Sequence, residues 1–183
     1  MMEEYLIECC SPTLASLKMG NLFNYPLSGC DDTDEQLERW NSALKEKGVR
    51  LTVLRKTFSS SLIYVYRPAV LQKRLEDSDV RRFLKKFGYA DAGETQSLNR
   101  LCQRLATSDG FPHEIGVFLG YPLDDVKAFI RNGGQNSLYT GCWKVYFHKS
   151  QAIRTFERFK KCSRIYSKLW AGGRSVQKLT VAV

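Results

Sequence analysis

Two runs near the middle of the chain constrain its fold more than any other feature. Val49–Arg55 and Leu62–Arg67 are rich in β-branched and aromatic residues, are joined by a short polar loop, and are bounded by Gly48 and Pro68. Runs of this kind pair as an antiparallel hairpin. Both faces of each run carry apolar side chains, so the resulting sheet needs cover on both sides. Helices have to supply that cover. The expected fold is therefore α+β, one domain over residues 1–183, with a small, mostly antiparallel sheet of three or four strands covered by several helices.

Helical signals surround the hairpin. Ser11 and Pro12 are a good N-cap and first-position pair, which predicts a helix over 11–18 that stops at Gly20-Asn21. Residues 24–32, with Pro26 and Gly29, read as loop. Thr33 can cap a helix with Leu37, Trp40 and Leu44 on one face, ending at Gly48. Further helical patterns run over 69–75, 78–87 and 96–105. Pro112 starts a short helix that Gly120 and Pro122 stop, and a second begins near Leu123 and ends at Asn132-Gly133-Gly134. Trp143–Phe147 reads as a third strand. Residues 151–170 form a long amphipathic helix with Ala152, Phe156, Phe159 and Tyr166 on its apolar stripe, and 176–183 could add a fourth strand. That stripe is expected to pack on the sheet.

Composition narrows the function classes. The longest uncharged apolar run, Ile115–Leu123, falls far short of the roughly 20 residues a spanning helix needs. The amino terminus is acidic, unlike the basic start of a secretory signal. The six cysteines, Cys9, Cys10, Cys30, Cys102, Cys142 and Cys162, form no CxxC pair, so reduced thiols in a cytoplasmic protein are expected. Residues 1–143 balance acids and bases, so the whole +9 excess lies in 144–183, whose one acid is Glu157. A concentrated basic segment attracts acidic partners, although a solvated helix face has the same composition.

Three constellations could carry chemistry. Cys10, read as preceding a helix start, would have its thiolate favoured by the helix dipole. His113, in the first turn of another helix, would stay neutral and could act as base, oriented by Glu114 or an asparagine. Against this stands the plain reading of a buried cysteine and a backbone-bonded histidine. Tyr64, Tyr66 and Tyr146, with Arg55, Arg67 and Lys144 nearby, could stack bases and hold phosphates, or be core. Arg158, Lys161, Arg164 and Lys168 lie off the apolar stripe of the last long helix and face outward together. No metal site is expected: the second histidine of a zincin motif would fall at Val117, and only His148 remains elsewhere. Phosphate-loop, dinucleotide and nucleophile-elbow motifs are missing too. No cofactor is indicated, with haem ligation by His113 or Cys10, and flavin, left open.

The blocks CSPTLASLK, LIYVYRP, FPHEIGVFLGYPLDDVKAFI and CWKVYF, in this order, resemble an uncharacterised bacterial family, a domain-of-unknown-function group common in clostridia and their relatives. The similarity runs from Cys10 to about Tyr166, with Ala128 where the family pattern has glycine. The resemblance implies a cytosolic redox or iron-handling setting, near flavodoxin and ferrous-iron transport. The reading it favours is an accessory binding protein whose basic C-terminal helix docks an acidic, flavodoxin-type partner. A thiol enzyme built on Cys10 and His113, and a nucleic-acid-binding protein, are the alternatives.

Overall fold

A computed structural model describes residues 1–27, 33–89, 93–107 and 110–182. The hairpin forms as expected: β2 (Arg50–Lys56) and β3 (Ser60–Tyr66) pair antiparallel, Leu51 opposite Val65, with an irregularity between Val53 and Arg55. β3 is the central strand. Its other edge is covered by β1 (Gly20–Pro26), also antiparallel, with Phe23 opposite Ile63. A loop was expected over much of β1, and its Gly20, Asn21 and Pro26 do punctuate like one. Pairing along β3 overrides that local signal, and Gly20 is required where it stands: a Cβ there would lie 2.5 Å from the Tyr64 ring.

The two faces of β3 are covered by different helices. Ile63 and Val65 belong to a cluster with α1 (Met2–Leu14) and α2 (Thr33–Leu44), through Leu6, Ile7, Leu37 and Trp40. Tyr64 and Tyr66 face the other cluster, formed with α3 (Pro68–Glu76), α4 (Ser78–Lys85), α5 (Glu94–Ala106), α6 (Ile115–Phe118) and α7 (Leu123–Arg131). Gly48, with φ of 67°, ends the 3-10 turn after α2, and Pro68 opens α3, as their positions predicted.

α1 differs from expectation. It begins at Met2, and Pro12 lies inside its last turn rather than at its start. Met2, Leu6, Ile7, Cys10 and Leu14 repeat at helical spacing and are buried, and that apolar face outweighs the one backbone bond Pro12 cannot make. Glu3 and Glu4 occupy the true first turn, where the dipole favours them. Ser11 is no cap; its hydroxyl donates back to the Ile7 carbonyl.

The C-terminal third also departs from expectation. Trp143–Phe147 does not join the main sheet: β5 (Lys144–Val145) pairs only with β4 (Tyr139–Thr140) in a separate hairpin. The long helix is present as α8 (Lys149–Ala171), with Ala152, Phe156, Phe159 and Cys162 buried. Its stripe packs on α1 and the β4–β5 hairpin, not on the sheet, because α1 already covers that face. The expected fourth strand is instead a short helix, α9 (Val176–Leu179), capped by Ser175 and packed on α1. Beyond it the Val181 amide donates to the Leu14 carbonyl at 3.0 Å, so the end of the chain satisfies an open carbonyl of α1. Among the described residues no helix is long and apolar enough to cross a membrane.

Candidate functional site

The residues singled out for thiol chemistry lie apart. Cys10 occupies the third turn of α1, fully buried in the cluster on the Ile63 side of the sheet. Burial pushes its thiol well above the ordinary value, and the positive end of the helix is two turns away. The dipole argument therefore does not apply to it. His113 lies on the opposite face of the sheet, in a turn before α6 rather than in a helix. There it flanks a cavity of about 220 Å³, with ring centroids 4.9 Å from Phe129 and 5.9 Å from Phe111. Glu114 points into the core, where it accepts from Arg104 Nε and from the Tyr89 hydroxyl at 3.2 Å. The structure does not bring Cys10 to His113, and Glu114 is held by a buried ion pair.

The candidate cations divide in two. Arg67 is buried at the end of β3 and, among the described residues, donates only to backbone: Nε to Thr13 O at 2.8 Å, Nη1 to Lys47 O at 3.1 Å, and Nη2 to Leu14 O and Val181 O at 2.9 and 2.8 Å. It ties α1, the 3-10 turn and the chain end together and is not available to a partner. Lys144 donates to Gly134 O at 2.6 Å. Arg55 is exposed on β2. Arg158, Lys161, Arg164 and Lys168 are all exposed on α8, as is Lys160, and none of the five is in an ion pair among the described residues.

The tyrosine constellation does not form a base-stacking platform. Tyr64 and Tyr66 stack on each other, centroids 4.5 Å apart and planes within 1°, and both are buried. Their hydroxyls donate to Phe118 O and Glu94 Oε1. Tyr146 is buried elsewhere, beside Asp125.

A cleft of about 710 Å³ opens between α1 and α8. Cys9, Pro12, Lys18 and Asn21 form one wall, Glu157, Lys160, Ser163 and Arg164 the other, and Tyr121 with Cys142 closes one end. Lys18 leaves the tight turn after α1, whose Leu17 and Lys18 amides both donate to Pro12 O, at 2.8 and 3.1 Å. Its Nζ lies 5.3 Å from the Tyr121 ring centroid. Burial lowers its ammonium pKa to about 8. Tyr121 is set by the α6–α7 corner, where Gly120 takes φ of 76° and the Gly116 α-carbon lets Val126 and Tyr121 approach. Tyr121 in turn packs on Trp143, centroids 5.1 Å apart.

A family model described as a protein of unknown function matches residues 6–180. The chain belongs to this family, DUF3793. No curated protein and no solved structure matches it. In this DUF3793 chain, three of the four blocks that carry the resemblance meet in the cleft, through Pro12 and Lys18, Tyr121, and Cys142. The fourth, LIYVYRP, is the central strand and its Arg67 clamp. Ala128 is buried in α7.

Several residues of this DUF3793 cleft escaped sequence reasoning. Asn21 and Lys160 lie outside the four blocks, while Lys18, Tyr121 and Cys142 lie inside them with nothing local to mark a site, and only the packing of α1 against α8 assembles the five. Among the described residues no group of three His, Cys, Asp or Glu side chains is placed to hold a metal. Every described cysteine is a free thiol, and Cys30 lies outside the described residues.

Proposed function

We propose that this DUF3793 chain is a non-catalytic cytoplasmic binding protein that docks an acidic protein partner on the outer face of α8. The observation that carries this reading is the set of exposed cations on α8, which no carboxylate of the described chain neutralises. An unpaired cationic stripe on a rigid helix steers an acidic surface toward it and contributes to affinity once water is displaced. The family resemblance, with its redox setting, makes an acidic flavodoxin-type protein the first partner to test. Binding is favoured over thiol catalysis because Cys10 and His113 lie on opposite faces of the sheet. It is favoured over base recognition because Tyr64 and Tyr66 spend their faces on each other.

The test measures association with an acidic flavodoxin, duplex DNA and RNA at low and moderate salt. The variant for comparison combines Arg158→Glu, Lys161→Glu and Lys168→Glu, exposed side chains that do not line the cleft. Wild-type binding should weaken steeply as the Debye length falls from about 10 Å at 0.1 M salt to about 3 Å at 1 M. The triple variant should stay folded and lose the flavodoxin. Tighter binding of either nucleic acid overturns the choice of partner. Equal binding by wild type and variant reduces α8 to a solvated face.

A further inference from the structure

We propose that the cleft between α1 and α8 is a binding site for a small, multiply charged organic anion, a phosphate ester or a polycarboxylate, with Lys18 as its central counter-charge. This site borders the docking face of α8, which shares Lys160 and Arg164 with it, but rests on Lys18 and not on Arg158, Lys161 or Lys168.

Lys18 reaches the cleft from the turn after α1. Its side chain is half-buried, and among the described residues its Nζ has neither a carboxylate nor a hydrogen-bond acceptor; it lies over the face of Tyr121 and opens on the cleft. A half-buried ammonium with no carboxylate beside it can take its counter-charge from a ligand in the cleft, where reduced exposure to water strengthens the pairing. The ionisable groups facing it are Cys9 and Cys10 from α1, Cys142 from the β4–β5 turn, Tyr121 from the α6–α7 corner, and Glu157, Lys160 and Arg164 from α8. Burial raises Cys9, Cys10 and Cys142 above the ordinary thiol value and pushes Tyr121 up to about 12. All four are neutral at pH 7, so none supplies the missing negative charge.

The rest of the lining fits an anion. Arg164 and Lys160 add two cations from the facing wall, against the single carboxylate of Glu157, which is exposed. Asn21 has its carbonyl oxygen occupied by the Thr13 hydroxyl at 2.7 Å, leaving its amide N–H groups as the free polar function. Ser163 contributes a hydroxyl. A guanidinium fork beside an ammonium is the donor set that phosphate and carboxylate oxygens accept best. At about 710 Å³ the cleft is too large for an inorganic ion alone and lies within the range of small-molecule sites. Pro12, Phe159 and Tyr121 give it apolar wall for the ligand's carbon frame.

The experiment is titration calorimetry of the full chain at pH 7 with two probes, inorganic pyrophosphate and citrate. Saturable one-to-one binding of at least one is expected, and the tighter probe identifies the ligand's charged group. Lys18→Gln, which keeps the stem and removes the charge, should weaken binding by about tenfold or more. In the wild type, bound probe should protect the Lys18 amine from acetylation, read by mass spectrometry, so the result does not depend on a variant folding. The Arg158→Glu, Lys161→Glu, Lys168→Glu protein should bind the probe within about threefold of wild type, since those charges lie outside the cleft. The proposal is overturned if neither probe binds below about 10 mM, a free energy too small for a built site. It is equally overturned if Lys18→Gln binds as wild type, or if the triple variant abolishes probe binding. Absence of flavodoxin docking by the wild type, with probe binding retained, would instead leave the cleft standing and remove the reading of α8.

Discussion

Asp125 and Trp143 are joined by a 2.8 Å hydrogen bond from the indole Nε1 to carboxylate Oδ2. The other oxygen, Oδ1, accepts the backbone amides of Tyr146 and Phe147 at 2.9 and 3.0 Å. One buried carboxylate on the first turn of α7 thus holds both the β4–β5 hairpin and the segment leading into α8. Since Cys142 and Trp143 border the two cavities, this strap sets the shape of the candidate site. Replacing Asp125 by alanine orphans three donors, the Tyr146 amide buried and the other two part-buried, and should destabilise the chain by about 3 kcal/mol. A red shift of the Trp143 emission before global unfolding, in a urea titration, is the signature expected. An unchanged urea midpoint would remove Asp125 from this role.

Arg67 makes a second prediction possible. Its guanidinium satisfies carbonyls at the end of α1, in the 3-10 turn and near the chain end, and among the described residues no carboxylate pairs with it. Arg67→Met should cost about 3 kcal/mol, because the Lys47 and Val181 carbonyls lose their donor and those of Thr13 and Leu14 keep only a backbone amide. Arg67→Lys should recover only part of this, since an ammonium on a flexible stem cannot reproduce the planar fork. Chemical denaturation of the three proteins checks the order. Methionine as stable as arginine would show that water replaces the guanidinium.

Thiol reactivity should follow exposure. Cys142 is exposed and Cys10 is fully buried with its pKa pushed well up. Under native conditions iodoacetamide should modify Cys142 first, and Cys10 at least about a hundredfold more slowly, at a rate set by unfolding. Peptide mapping over a labelling time course reads this. Early modification of Cys10 would restore the case for its chemistry.

The depressed pKa of Lys18 gives a pH signature. With the folded value near 8 and the unfolded value 10.5, the unfolded chain binds more protons between these limits. Stability contributed by this group therefore rises with pH across that window. Lys18→Met removes the desolvated charge and should be more stable than wild type by roughly 2 kcal/mol at pH 7, after loss of the contact with Tyr121. The margin should shrink as pH rises from 7 toward 9. Taking the difference between the two proteins cancels the thiols, whose raised values act in the opposite direction. A margin independent of pH would place the Lys18 ammonium in water.

How legible these features were depends on the range over which they are decided. The β2–β3 hairpin, α2 through α5 and the amphipathic stripe of α8 could be read directly, because alternation, 3.6-residue spacing, Gly48 and Pro68 act over a few residues. The start of α1 was misread because Pro12 is a stronger local signal than the apolar repeat from Met2 to Leu14, yet burial of that repeat is what counts. Residues 20–26 carry loop punctuation and become a strand only because β3 offers its edge. The run after Ser175 has strand composition but coils into α9 against α1.

The sequence by itself determined the fold class, the β2–β3 hairpin with its need for cover on both faces, and the crowding of positive charge into residues 144–183. Those are matters of composition and short-range period. Only the tertiary structure decided what each charge is for. Arg67 and Arg158 are the same residue type, yet one is closed in by the carbonyls of three segments and the other meets water. Lys18 has no neighbour in sequence that marks it, and its surroundings come from Tyr121, Cys142 and Arg164, more than a hundred positions away. Burial and the choice of counter-charge are properties of space, set by which helix covers which face of the sheet, and no local spacing encodes them.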